Sequence, residues 1–256
     1  MPARNLPDAI RLVPTAAHVS KAAAGGLSYR GGPLIKNVAI HAIYWGSYWA
    51  TASSPSTANI DQFLTYIVQS PFMTQLTEYN VPAYPIGPGT FAESQILDMA
   101  VAASLTDAEI QAKVKSLATT PKSKKPSAAA KKRKKPAASI NDLYMVFTPP
   151  NVQVVMSGTM SCSSFCGYHD DVSGAQYYGV IPYPNCTGCD NAGSVFDSLT
   201  MITSHELAEA ITDPVPGAGW YDDQFGEIGD FCNAEPKTIG AYTVQKIWSA
   251  SANRCV

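Results

Sequence analysis

The stretch SHELAEAITDP, residues 204–214, decides how the fold of this chain is interpreted. It closes the clearest helical pattern in the sequence, which predicts a helix from about 194–212 that ends at Asp213-Pro214. His205 and Glu209 are four residues apart, so both side chains lie on one helix face with Cβ atoms about 5–6 Å apart. An imidazole and a carboxylate can therefore converge on one ion.

Glu206 completes the pattern H-E-x-x-E. In metallopeptidase helices of the pattern H-E-x-x-H, residues at i and i+4 bind zinc and the Glu is the general base for a metal-bound water. Glu209 replaces the second His here, and the added carboxylate makes harder divalent ions than zinc suitable as well. Leu199 and Ile202 share this face one turn earlier, which indicates that it points inward. The alternative is an ordinary amphipathic helix in which His205 and Glu209 form only an ion pair.

A third ligand is expected from the acidic segment 219–232. Asp213 lies about 12 Å from His205 along a continuous helix axis, too far to bind the same ion. We predict Asp230 as the third ligand. Glu227 is predicted to support a ligand or to replace Asp230.

Two further residues are predicted to line the same cleft. Tyr221 would donate a hydrogen bond to an oxyanion, and His169 would face the metal. The spacing of Cys166 and His169 also suggests a thiol nucleophile with its base. Catalytic Cys–His pairs are usually assembled by the fold and not by a three-residue spacing, which argues against this alternative.

The pattern of strands and helices predicts an α+β fold. Predicted strands lie at 38–45, 143–148 and 176–183, and predicted helices at 60–68 and 106–117. Pro182 indicates that the last of these strands is a sheet edge. We predict a flexible leader at 1–33 and one body at 34–256, of which 215–256 is a small disulfide-bearing subdomain.

Charge is distributed unevenly along the 256 residues, although the formal net charge is only −2. The segment Lys113–Lys135 holds ten of the 18 basic residues and no acid, so the rest of the chain is strongly acidic. Its low-complexity part, 119–139, is predicted to be a basic disordered insertion. Residues 122–135 would suit a cell-wall polyanion, whereas the acidic body argues against nucleic acid. No apolar run reaches the ~18 residues of a membrane span.

Six cysteines follow residue 161, and the even number predicts disulfides and an extracellular location. The N-terminal sequence shows no apolar segment of a recognisable signal peptide. Cys162-x3-Cys166 and Cys186-x2-Cys189 also have the spacing of a zinc ribbon, for which disulfides are the favoured alternative. Fifteen pairings are possible, and one of them joins Cys232 to Cys255 as a clip on the tail.

The H-E-x-x-E helix and the strands before it resemble the zincin-like metallopeptidases. This resemblance implies a mixed sheet with an active-site helix, and a third metal ligand after that helix. It also implies that the edge strand, here near 176–183, pairs with an extended peptide substrate. The expected function is a zinc-dependent peptidase acting on peptide or protein substrates, with Glu206 as general base.

Short segments are also similar, in order, to the exordium or phosphate-induced protein family of extracellular plant proteins. They are 29–40, 165–169, 211–214, 219–221, 227–232 and 247–255. The resemblance covers most of 28–256 and implies a role in the cell wall and in growth signalling. The alternative function is therefore a non-catalytic secreted protein with a structural metal site. A third possibility is a polyanion-binding module centred on the basic tract.

Overall fold

The computed structural model describes residues 26–119, 139–190 and 192–256. Two parts of the chain that were predicted to be flexible lie outside the described residues. They are residues 1–25 of the predicted leader 1–33 and residues 120–138 of the predicted insertion 119–139. The helices are α1 (Thr57–Ile67), α2 (Pro71–Leu76), α3 (Asp107–Thr119) and α4 (Val195–Thr212). The strands are β1 (Ser28–Tyr29), β2 (Ala39–Trp45), β3 (Thr90–Leu97), β4 (Ser104–Thr106), β5 (Asp142–Phe147), β6 (Gln153–Met156), β7 (Thr159–Met160), β8 (Tyr168–Asp171), β9 (Tyr177–Ile181), β10 (Trp220–Tyr221), β11 (Pro236–Ile239), β12 (Tyr242–Gln245), β13 (Trp248–Ser249) and β14 (Arg254–Cys255).

The main sheet has five strands in the order β3-β2-β5-β9-β8. The first four are parallel, and β8 runs antiparallel to β9. The fold is thus mixed α+β, as predicted. The prediction that 176–183 is an edge strand is wrong, because β9 has neighbours on both sides. Pro182 follows the last residue of β9 and so removes no hydrogen bond from the sheet.

Two hydrophobic cores lie on the opposite faces of this sheet. One is packed between the sheet and the helices α1, α2 and α4, and includes Ile40, Ala42 and Leu199. The other includes Ile43 and Trp45 together with residues of α3 and β6. The alternation of side chains along β2 therefore supplies both cores.

Helix α4 is buried on all sides beyond its first turn. The Ser194 side chain accepts a hydrogen bond from the Asp197 N–H and caps its start. The helix packs on β8 and β9 of the main sheet and is covered on another side by β12. All residues from 198 to 212 are buried. The charged residues of its H-E-x-x-E pattern therefore lie in the protein interior.

The N-terminal and C-terminal parts of the described chain both pack into the same folded body. Strand β1 pairs with β10, so Tyr29 and its neighbours in the predicted leader 1–33 belong to the folded body. The predicted subdomain 215–256 contributes Ile228, Val244 and Trp248 to the core that also contains α4. None of the helices in the described ranges is long and apolar enough to cross a membrane.

All six cysteines form disulfides. The bonds join Cys162 to Cys186, Cys166 to Cys189, and Cys232 to Cys255. The prediction of disulfides is confirmed, including the clip on the tail. The sulfur atoms of Cys162, Cys186 and Cys189 lie close together, but the zinc-ribbon alternative fails because disulfide sulfur is not a thiolate ligand.

Candidate metal centre

Small residues allow α4 to lie directly on β8 and β9. His169 of β8 pairs with Gly179 of β9, and a Cβ atom on Gly179 would lie only 2.9 Å from Met145 Sδ and 3.8 Å from Glu206 Cβ. A Cβ atom on Gly167, just before β8, would lie 2.8 Å from Glu206 Oε1. Gly167 therefore leaves room for Glu206, and Gly179 leaves room for Met145 in the strand that pairs with His169.

The first group of possible ligands comprises His205, Glu209 and Asp230. His205 Nε2 lies 2.9 Å from Glu209 Oε1 and 3.8 Å from Asp230 Oδ1. The Asp230 N–H donates to Glu209 Oε1 at 3.1 Å. Ligand atoms bound at ~2.0–2.1 Å to a tetrahedral zinc ion are about 3.3 Å apart. The predicted triad therefore has suitable spacings for one ion.

The second group comprises His169, Glu206 and Glu209. His169 Nδ1 lies 3.4 Å from Glu206 Oε2 and 3.7 Å from Glu209 Oε2. All three residues are buried. Glu209 thus belongs to both groups.

Glu227 lies on the far side of the His169 ring and not beside His205. Its Oε1 is 3.4 Å from His169 Nε2, which also lies 3.1 Å from the main-chain oxygen of Asp213. The carboxylate of Asp213 accepts hydrogen bonds from the N–H groups of residues 217, 218 and 219. Asp213 therefore closes the turn after α4, and its carboxylate has backbone partners.

Tyr221 does not belong to the buried set. It lies half-buried in β10, opposite Ser28, and its ring packs under the Arg30 guanidinium, 4.7 Å from ring centroid to Cζ. The other six predicted site residues gather around α4.

Burial and neighbouring charges act in opposite directions on the two histidines. Burial alone would lower the pKa of His205, but Glu209 beside it raises the pKa to about 10. For His169, burial again lowers the pKa, and Glu227 and Glu206 raise it well above its ordinary value. Burial raises the pKa of Glu206, and that of Glu227 rises well above its usual range. In the absence of cations, ionisation of the Glu206 and Glu227 carboxyl groups is therefore less favourable than in water.

Several polar atoms of this cluster have no hydrogen-bond partner among the described residues. His205 Nδ1, Glu206 Oε1 and Glu227 Oε2 belong to this group, and so do His205 Nε2 and Glu227 Oε1, whose contacts with Glu209 at 2.9 Å and with His169 at 3.4 Å lack hydrogen-bond geometry. Most buried polar groups in folded proteins are hydrogen-bonded, so each exception requires a physical explanation. Within the described ranges, no ion pair brings a lysine or arginine to Glu206, Glu209 or Glu227. A bound divalent cation would satisfy both the charge and the free ligand atoms.

No family model matches the chain, and no curated protein matches it significantly in sequence. The function of the site is therefore argued from its geometry.

Sequence reasoning found the residues of the helix but missed the glycines that fit against them. Gly229 is the most informative, because a Cβ atom there would lie 2.8 Å from Glu209 Oε1 and 3.0 Å from two ring carbons of His205. The signal available in the sequence was the short spacing between glycines and acids in 226–230.

We expect Gly229→Ala to weaken metal binding by about 10–100-fold, the range typical of changes that disturb metal ligands. The backbone of Gly229 has φ −79°, which alanine adopts freely, so the effect would come from contact with Glu209 and His205. Competition with a chelating dye would measure the affinity. Gly174→Ala is a control for a backbone penalty without contact: alanine is strained at its φ of +72°, but no atom lies within 4 Å of the added Cβ, so the metal affinity should equal that of wild type. Equal affinity of Gly229→Ala and wild type would contradict the assignment of this group.

Proposed function

We propose that the chain is a zinc-dependent peptidase whose ion is held by His205, Glu209 and Asp230. The observation that carries the proposal is the approach of the ligand atoms of these three residues to within 4.8 Å of one another. The four parallel strands, the antiparallel strand β8 and the buried helix α4 support the resemblance to zincin-like peptidases.

An ion bound here would supply a Lewis acid for a peptide carbonyl and would lower the pKa of a water molecule. Glu206 would take the proton from the attacking water and later deliver it to the leaving amine. Its Oε2 is held near His169 Nδ1 at 3.4 Å, whereas Oε1 has no hydrogen bond from the described residues. This arrangement leaves one oxygen for proton transfer.

The sheet offers a position for an extended peptide. Among the described strands, β8 pairs with β9 and lies at the end of the sheet, and we propose that a substrate main chain adds to this end. His169 lies within this strand and faces Glu206. The substrate-binding edge expected near 176–183 is therefore proposed at 168–171.

A structural ion in a non-catalytic secreted protein is the second candidate. Its support is burial: His205, Glu206 and Glu227 have no exposed surface, while catalytic zinc sites keep one coordination position open. Three disulfides suit an extracellular location for either function. Binding of a cell-wall polyanion by 122–135 stays a prediction, because these residues lie outside the described ranges.

Digestion of a peptide library tests the first candidate against the second. We expect the zinc-loaded protein to cleave, and 1,10-phenanthroline to lower the rate at least about a hundredfold because the ion contributes several kcal/mol. Added Zn²⁺ should restore the rate. A zinc-loaded, folded protein that cleaves no peptide would overturn the peptidase and leave the structural ion.

A further inference from the structure

The two carboxylate oxygens of Glu209 face different histidines. Oε1 lies 2.9 Å from His205 Nε2 and accepts the Asp230 N–H, whereas Oε2 lies 3.7 Å from His169 Nδ1. One ion in the first group would use Oε1 and leave Oε2 directed at the second group. Glu209 therefore has the geometry of a bridging carboxylate.

The surroundings of His169 define which of its nitrogens is free. Nε2 lies 3.1 Å from the main-chain oxygen of Asp213, and a carbonyl can only accept, so Nε2 carries a proton. Nδ1 then faces Glu206 Oε2 at 3.4 Å and Glu209 Oε2 at 3.7 Å. Nδ1 is therefore the ring nitrogen that faces the carboxylates, and a positive charge there, either a proton or a metal ion, makes this approach favourable. Metal-bound histidines commonly donate their other N–H to a carbonyl or carboxylate, which is how Asp213 and Glu227 are placed here.

The acids around α4 are largely withdrawn from water. Glu206, Glu209 and Glu227 are fully buried, and the side chain of Asp230 is only 15% exposed. Buried carboxylates need hydrogen-bond donors or cations as partners, and two divalent ions would supply such partners to both ligand groups.

We propose that the centre binds two divalent cations bridged by Glu209, the second held by His169 Nδ1, Glu206 Oε2 and Glu209 Oε2. This inference rests on the proposed function only for the identity of the first ion's ligands. Paired metals in hydrolases lie about 3.5–4 Å apart and together stabilise the attacking and leaving atoms. Glu206 would bind through Oε2 and keep Oε1 for the proton. The opposing hypothesis is a single ion beside a protonated His169.

Metal content separates these hypotheses. The full chain is stripped with chelator, loaded with excess Zn²⁺ and desalted, and zinc per chain is measured by mass spectrometry of the native protein. We expect two ions in wild type and one in His169→Asn. His41→Asn is the matched control. His41 lies on the same face of β2 as the second-core residues Ile43 and Trp45, which is the face turned away from α4, so this variant should keep both ions. One ion in wild type, or two in His169→Asn, would overturn the second site.

A measurement on wild type alone guards against a variant that fails to fold. Co²⁺ is titrated into the metal-free protein, and electron paramagnetic resonance is recorded at one and two equivalents. We expect the signal to weaken per ion at the second equivalent, because two ions bridged by Glu209 couple magnetically. A signal that doubles would contradict the bridge.

The outcomes distinguish this inference from the proposed function. If the protein binds one ion and cleaves peptides, only the second metal site is refuted. If it binds two ions and cleaves no peptide, only the peptidase function is refuted. A protein that binds no ion contradicts both.

Discussion

Glu206→Gln should lower kcat/KM for peptide cleavage by about 10²–10⁴-fold, the usual contribution of a general base. Glutamine has nearly the same shape as glutamate, so it fits the space beside Gly167 and Gly179 that the structure provides. Its amide cannot take a proton from water at neutral pH. His205, Glu209 and Asp230 are unchanged, so the first ion should remain bound. Kinetics on a peptide substrate, with metal content measured on the same sample, would check both parts.

Glu235→Gln is the matched control for this substitution. Glu235 is half-buried and pairs with Lys246 at 3.2 Å, outside the cluster around α4. Its loss should leave kcat/KM and metal content as in wild type. Wild-type cleavage by Glu206→Gln would exclude Glu206 as the base. Loss of the first ion in that variant would assign Glu206 to binding.

Zinc should raise the thermal stability of wild type strongly. At a free concentration of a hundred times Kd, a ligand that binds only the native state adds about 2.7 kcal/mol to the free energy of unfolding. For a domain of this size, that corresponds to a Tm increase of roughly 5–10 °C. Differential scanning calorimetry with and without Zn²⁺ would measure the shift.

Glu209→Gln should abolish this shift. Without metal, the variant lacks the buried carboxylate that pairs with His205, so its Tm should fall below that of metal-free wild type. With zinc, its Tm should hardly change, because the residue shared by both ligand groups is gone. Glu235→Gln should behave like wild type in both conditions. An unchanged wild-type Tm with zinc, or an equal shift in Glu209→Gln, would refute metal binding at Glu209.

Much of the fold could be predicted because it depends on local patterns. The strands β2, β5 and β9 are apolar and the helix α4 has clear end signals, so each was located within a few residues. Strand β8 was missed, since its sequence YHDD contains no β-branched residue and three of its four residues are polar or charged. Strand order was also inaccessible, because periodicity does not report which strands are neighbours.

The candidate site also has a part that local sequence patterns predict and a part that depends on tertiary contacts. The convergence of His205 and Glu209 follows from helix geometry alone. The position of His169 depends on the pairing of β8 with β9 and on Gly179, which are contacts between distant parts of the chain. Glu227 was placed in the correct segment, but its contact with His169 and not with His205 could be seen only in three dimensions.

The disulfides connect the chemistry of the site to the compartment in which the chain folds. His169 follows Cys166 by three residues, and Asp230 precedes Cys232 by two, so each lies next to a covalent cross-link. Helix α4 contains no cysteine and presents His205 and Glu209 through its own backbone hydrogen bonds. In a reducing cytosol the helix would keep its two ligands in register, whereas the two segments that complete the centre would lose their covalent tethers. The disulfides would therefore hold the segments that carry His169 and Asp230 in place, and an oxidising compartment would favour the complete set of proposed ligands.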